Sequence, residues 1–472
     1  MSVSEPETPT GTAGSGPHAL TWGQKGIYEH LRCNGYAMYG ALVPSLWHLP
    51  EPCDAETVRS VLDLLVRRHE CLRTVYLGPS GAPADPSVPT REVVQRVEAP
   101  RPVPVSVVRC PVDRVDARLE ELVTGLAETY VFDPAEPSAM SAVLVETDDG
   151  VRAAAVGISH MAVDGVGEKI LEREFRHCLR LARAGRPMEE DLPLVRHPRE
   201  LLTDEADASA LRRGETTRRY FRTVLRQTPR AFLTTGRPRS ELDASQVTAA
   251  SWSLRASLDR LAEAGHLPAQ TALLTLVMAL VAARAGERRS LFRVLFERRH
   301  WFPRGESYVA PQTLAALVHL ETPAAGTVLD LLRRGRAAAM AGYVQADYDT
   351  CDLVDLQDEC AERIGADTDG FAMFNCGIPP AGTASAAVDA SRPTEVLVDR
   401  RGDVNLDMQF AFACGWDVVP GAVGVDIRQN DRLVGSNAAA FLRRLERFAA
   451  CAAEDPGAPL DRALRATATE GA

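Results

Sequence analysis

Residues 141–185 constrain the fold more tightly than any other stretch. Ser141 to Glu146 and Val151 to Ile158 are apolar runs joined by Thr147-Asp148-Asp149-Gly150, which carries the Asp-Gly signal of a tight hairpin. The second run leads straight into Ser159-His160-Met161-Ala162-Val163-Asp164-Gly165. Beyond it Ile170, Leu171, Phe175, Cys178, Leu179 and Ala182 recur at helical spacing as far as Gly185, with Pro187 just after. The hydrophobic period thus changes from strand to helix across one short loop, and His160 and Asp164 are predicted to sit on that strand-loop-helix joint.

The rest of the chain repeats these two patterns. Asp54 to His69 places Val58, Val61, Leu62, Leu65 and Val66 on one helical face, with Asp54 as the N-cap, and a strand from Leu72 to Tyr76 is expected next. A second amphipathic helix, Val112 to Thr129, carries Val115, Leu119, Leu122, Val123 and Leu126. Gly185 to Ala249 is polar and proline-bearing, with an arginine-rich helical stretch from Leu211 to Arg226, and reads as a crossover between lobes. The second half is expected to hold strands at Ser251 to Leu254, Leu291 to Phe296, Val404 to Cys414 and Gly424 to Arg428. Helices are expected at Ala269 to Ala283 and Asn437 to Ala452. This alternation predicts an α/β protein of mixed α+β layers, not a bundle or sandwich. At about 150 residues per domain, the 472 residues make two large lobes or three domains, and the first 17, small and polar, read as a flexible tail.

Composition narrows the function classes. Hydrophobic residues make up 45% and charged residues 25%, which removes the disordered and fibrous classes. The sequence has no long uninterrupted apolar run, and its first residues lack the basic start of a signal peptide, so no membrane association and a cytoplasmic location are expected. Lys and Arg total 53 against 64 Asp and Glu, a net charge of −11 that disfavours a phosphate backbone, so no nucleic acid partner is expected. The 10 cysteines form no CxxC and the 10 histidines no HxH or HExxH, so no metal site is expected. The cysteines read as buried thiols in a reducing compartment.

An isolated histidine at a strand end is more often structural, but His160 comes with Asp164 and Gly165. A histidine leaving a strand can face a cavity, while an aspartate four residues on turns back to pair with a buried arginine. Gly165 then opens the helix, where backbone N–H groups create positive potential. This suits a reaction needing one base and a place for negative charge. The chain has no GxSxG elbow, so the histidine would act on a nucleophile belonging to the substrate.

These residues resemble the condensation domains of nonribosomal peptide synthetases, in the chloramphenicol-acetyltransferase-like superfamily. The family's HHxxxDG motif is matched by Ser159 to Gly165, with Ser159 in place of the first histidine, and Arg68-His69-Glu70-Cys71-Leu72-Arg73-Thr74 matches RHExLRT in full. Leu20-Thr21 with Gln24 and Tyr28 resembles the opening motif, and Phe132-Asp133 with Pro137 the FDL…PL stretch. Tyr308 to Thr313 stands where the family has VGxFxNT, with Gln312 for the asparagine, and Asp426 to Asp431 resembles the closing section.

The resemblance implies two acetyltransferase-like lobes, 18–185 and 250–465, joined by the crossover 186–249 into a V-shaped pseudo-dimer with a tunnel. His160 would orient or deprotonate an amine or hydroxyl, which attacks an acyl thioester on the phosphopantetheine of an acyl or peptidyl carrier protein acting in trans. The product would be an amide or ester. The acceptor would be a small molecule or carrier-bound, and no cofactor would be bound. Asp164 and Arg73 would form a structural ion pair, Gly165 would offer a backbone N–H to the oxyanion, and Ser159, Met161 and Gln312 would border the substrate channel. The chain looks freestanding. DxxxxD and EGHGRE-like segments are absent, which disfavours heterocyclising and epimerising relatives. Two other functions fit: a catalytically silent module recruiting a carrier or partner enzyme, which the loss of the first histidine favours, and an acyl-CoA-dependent O/N-acyltransferase. Arg212, Arg213, Arg218, Arg219, Arg222 and Arg226 are candidates for docking an acidic carrier.

Overall fold

The computed structural model describes residues 16–36, 40–236, 241–302, 305–368, 370–377, 387–402, 404, 406 and 408–467. Of the expected N-terminal tail, residues 1–15 lie outside the described residues, as do residues 405 and 407 of the strand expected from Val404 to Cys414.

Two compact units make up the chain. The first comprises the residues up to Leu211 together with Glu297–Thr313 and Asp349–Cys351. A segment from the second half of the sequence therefore completes it, where a linear division leaves that segment in the other lobe. In chain order this unit holds β1 (His18–Ala19), α1 (Trp22–Cys33), β2 (Leu42–Cys53), α2 (Ala55–Arg68), β3 (Thr74–Leu77), β4 (Val94–Val97), β5 (Val105–Arg109), α3 (Val115–Thr129), β6 (Met140–Thr147), β7 (Gly150–Ser159), α4 (Gly165–Arg183) and α5 (Pro198–Glu205). Its main sheet has the order β2-β7-β6-β5, with β6 and β7 forming the expected hairpin through the pairs Glu146↔Val151 and Thr147↔Gly150. Gly150 has φ +122°, and a Cβ there would lie 2.9 Å from the Cys53 carbonyl oxygen, so the turn requires glycine. The predicted stripe of α2 is buried, and Asp54 caps the helix by accepting from the Thr57 N–H at 2.8 Å.

Helix α6 (Ala208–Gln227) leads into the second unit, Arg212–Phe296, Leu314–Tyr348 and the residues from Asp352 on. This holds β8 (Ala244–Ser251), α7 (Trp252–Gly265), α8 (Ala269–Arg284), β9 (Arg289–Glu297), β10 (Thr313–Glu321), α9 (Val328–Tyr343), α10 (Thr350–Ile364), β11 (Ala372–Gly377), β12 (Glu395–Arg401), β13 (Phe410–Trp416), β14 (Val423–Asn430), α11 (Asp431–Val434), α12 (Ala438–Glu454) and α13 (Leu460–Arg465). Its seven strands run β10-β9-β11-β13-β14-β8-β12 and carry a large apolar core against α7, α8 and α12. Both units are sheets layered with helices, the mixed class expected. The strand expected from Ser251 to Leu254 is corrected. Ser251 ends β8, and its hydroxyl accepts from the Leu254 N–H at 3.2 Å, which caps α7 and starts a helix where extended chain was expected. No single helix among the described residues is long and apolar enough to cross a membrane.

Candidate active site

The loop between β7 and α4 carries the candidate base. The His160 backbone N–H donates to Ala41 O at 2.9 Å, beside β2, which fixes the loop's entry. The half-buried imidazole places Nδ1 2.8 Å from Val163 O. A carbonyl oxygen only accepts, so Nδ1 carries the proton and the neutral ring keeps its free lone pair on Nε2. Burial lowers the His160 pKa below the ordinary histidine value, with the Asp164 charge pulling the other way. The ring is therefore a neutral base of defined tautomer near pH 7.

Asp164 holds the loop to the rest of the unit. Its carboxylate, 2% exposed, accepts from the Gly167 N–H at 2.8 Å and so caps α4. The same group accepts from both Arg299 terminal nitrogens at 3.0 and 2.9 Å, from the Gln312 N–H at 2.8 Å and from the Thr313 hydroxyl at 3.2 Å. Burial alone would raise its pKa, but the Arg299 charge and these donors outweigh it and hold the carboxyl below the ordinary range. Arg299, itself buried, also donates to Tyr308 O and Ala310 O at 2.9 Å and to Glu297 at 2.9 Å. One guanidinium thus gathers the ends of the 297–313 segment around the motif.

The expected Arg73–Asp164 pair is corrected here: Arg299 is the partner. Arg73 ends a 3-10 turn, Glu70–Arg73, and donates to Glu98 O beside the β3–β4 pair. The RHExLRT segment supports the site differently. His69 Nε2 lies 2.8 Å and Arg68 Nε 3.0 Å from the buried Glu174 carboxylate on α4, so the segment clamps the helix that the motif opens. Arg299 was missed because Arg298-Arg299-His300-Trp301 has no periodicity that marks it, and it meets Asp164 across 135 residues.

The other expected site residues fall in different places. A Cβ added at Gly165 meets nothing within 4 Å, whereas one at Gly167 would lie 2.0 Å from Val309 O, so Gly167 is the glycine that packing demands. Ser159 is buried and lines a separate cavity of about 60 Å³ with Thr74, Tyr76, Tyr130 and Glu136, among whose lining residues His160 does not appear. That division follows the alternation of successive residues at a strand end. Met161 is fully buried in an apolar cluster with Leu20, Tyr28 and Tyr76. Gln312 is also fully buried, holding Asp164 through its backbone. Three of the six α6 arginines are neutralised within their own unit. Arg213 pairs with Asp347 at 2.6 Å, Arg218 with Asp352 at 2.7 Å and Arg222 with Glu359 at 3.0 Å. Among the described residues no group of three or more His, Cys, Asp or Glu could hold a metal ion.

The chain matches the family model for the condensation domain over residues 16–359. Its structure is similar to that of the SgcC5 protein from Streptomyces globisporus, solved with (R)-(-)-1-(2-naphthyl)-1,2-ethanediol and sucrose, at 18% identity and a TM-score of 0.73 over 94% of this chain and 100% of that one. The X-domain from teicoplanin biosynthesis gives 18% identity and a TM-score of 0.68 over 98% of each chain. The first condensation domain of the CDA synthetase gives 17% and 0.69 over 95% of this chain and 98% of that one. No curated protein matches the chain. At these identities the structural likeness is one of fold, the acetyltransferase-like two-lobe fold of condensation domains. With the motif segment, its clamp and more than two-thirds of the sequence inside the matched region, the chain belongs to the condensation domain family.

Proposed function

We propose that this protein is an acyltransferase that forms an amide or ester bond in natural-product biosynthesis. The donor is an acyl or aminoacyl thioester on a carrier protein's phosphopantetheine, and the acceptor an amine or hydroxyl. The observation that carries the reading is the Nδ1–H hydrogen bond to Val163 O, which leaves Nε2 of His160 as the proton acceptor. As the acceptor attacks the thioester carbonyl carbon, Nε2 takes the proton from the attacking nitrogen or oxygen. The carbon–sulfur bond then breaks, and the departing thiolate receives that proton from the imidazolium. Asp164 acts as a positioning residue through the loop and α4. The Gly165 N–H is the candidate donor to the oxyanion, at a helix start where positive potential favours developing negative charge.

A silent recruiting module is the second reading, favoured by Ser159 in place of the first motif histidine. A precedent for such recruitment is the solved complex of the X-domain and OxyB from teicoplanin biosynthesis. Intact mass of acylated carrier proteins, before and after incubation with the protein and a pool of amines and alcohols, separates the two. Release of the acyl group by the wild type and not by His160→Ala supports the transferase; no release with either favours the silent module. Presenting the same acyl group on a carrier, on CoA and on a truncated thioester separates the carrier-dependent reaction from the acyl-CoA one. Equal specificity constants for the three donors would promote CoA.

A further inference from the structure

Helix α4 carries a second feature beside the motif it opens. Lys169, Arg173, Arg176 and Arg180 follow one another at helical spacing opposite its buried stripe. With Pro50 and Glu172 they line a groove of about 480 Å³ on the surface of the first unit. Glu172 is the only carboxylate in that lining, and it bridges Lys169 at 2.9 Å and Arg176 at 2.6 Å. Arg173 and Arg180 are exposed and make no ion pair among the described residues. Lys169 also meets Glu168 at 3.2 Å, so four cations against two acids leave a positive groove on a chain whose net charge is −11. On α6, by contrast, Arg213, Arg218 and Arg222 are matched by Asp347, Asp352 and Glu359 of their own unit, and Arg219 lies 3.9 Å from Glu215. A charge answered internally has little left to offer a partner, whereas Arg173 and Arg180 keep theirs within the groove.

We infer that this groove is the docking surface for an acidic helix of the carrier protein that delivers the acyl group. The inference rests on the proposed function for the identity of the partner. The occupant must present carboxylates in a row to meet cations spaced along a helix, and the arginine forks suit carboxylate recognition. Because the charges are exposed, they act chiefly on encounter rate and salt dependence.

The test uses the full chain and a fluorophore-labelled, acidic acyl carrier protein in its apo form, with anisotropy as the readout. Wild-type binding should weaken as salt rises, and the double variant Arg173→Glu/Arg180→Glu should lose about tenfold in affinity at low ionic strength. The control Arg212→Glu/Arg226→Glu, on α6, should bind as wild type does. With an acylated carrier, the α4 variant should lose the same factor in kcat/KM and keep its kcat/KM for a truncated thioester, which needs no docking. Carrier binding unaffected by the α4 reversal, an equal loss in the α6 control, or no wild-type binding would overturn the inference. Should the reversed variant misfold, Arg173→Gln/Arg180→Gln is read by the same criteria. Docking that depends on the groove without any acyl transfer would leave the inference standing and sink the transferase reading instead.

Discussion

Replacing Asp164 by asparagine tests the architecture of the motif most directly. The substitution keeps the side chain's size but removes the charge facing Arg299, a guanidinium only 4% exposed, together with acceptor capacity used by Gly167, Gln312 and Thr313. Removing one member of a buried ion pair typically costs about 3–5 kcal/mol. That is on the order of 10²- to 10⁴-fold in the folding equilibrium. A double-mutant cycle then assigns the partner. Asp164→Asn/Arg299→Met should be less destabilised than the sum of the singles, by about 0.5–3 kcal/mol, because the second change removes the stranded charge. Arg73→Met should be additive with Asp164→Asn. Urea denaturation followed by circular dichroism supplies the stabilities. Additivity at Arg299, or coupling at Arg73, would refute the arrangement. The pH dependence offers a second check. The folded Asp164 pKa is depressed, so its contribution is full above the unfolded value of about 3.9 and is lost as pH falls through the lower folded value. The stability gap between wild type and Asp164→Asn should therefore close in acid.

Further predictions concern the loop and its helix. His160→Ala should lower turnover by about 10²- to 10⁴-fold while leaving the thermal midpoint nearly unchanged, as measured by single-turnover kinetics and calorimetry. Since burial depresses the His160 pKa, the base stays available as pH falls through the ordinary histidine value of about 6.5, and the acid limb of the kcat/KM profile should lie below that pH. Gly167→Ala should destabilise the protein and slow the reaction, because its Cβ meets Val309 O at 2.0 Å, whereas Gly165→Ala should melt close to wild type; equal melting temperatures for the two would contradict the packing. Ser159→Ala should retain most activity, and a loss as large as that of His160→Ala would place the serine in the chemistry.

What the sequence revealed was local, and what it hid was distant. Helices α2, α3 and α4 and the β6–β7 hairpin were legible because each buries a periodic stripe or turns on a glycine that only one geometry accepts. The start of α7 was misread because Ala244–Ser251 is rich in small residues, which made the apolar Trp252 and Leu254 look like the strand. For the site, the motif gave His160 and Asp164, but the aspartate's partner could not be chosen among 53 lysines and arginines by spacing alone. Arg73 was near in the motif sense and Arg299 near in space. The α6 arginines drew notice as a run, and the acids that neutralise Arg213, Arg218 and Arg222 lie more than 130 residues downstream.

The return of Glu297–Thr313 to the first unit also sets an order of events during synthesis. The ribosome releases Asp164 long before Arg299, and at about 5–20 residues per second the 135 intervening residues impose a delay on the order of ten seconds. During that interval the hairpin, α2 and α4 can assemble, while the carboxylate that caps α4 waits for its guanidinium. The loop bearing His160 is consequently secured late, after most of the second unit's first strands and helices have emerged, with only Asp349–Cys351 of its unit still to come. A nascent or truncated chain ending near Leu211 would carry the motif without the means to hold it. On the proposed function, acyl transfer would then begin only once Arg299 has been made and folded back onto the motif, which would keep a partly built protein from acting on thioesters.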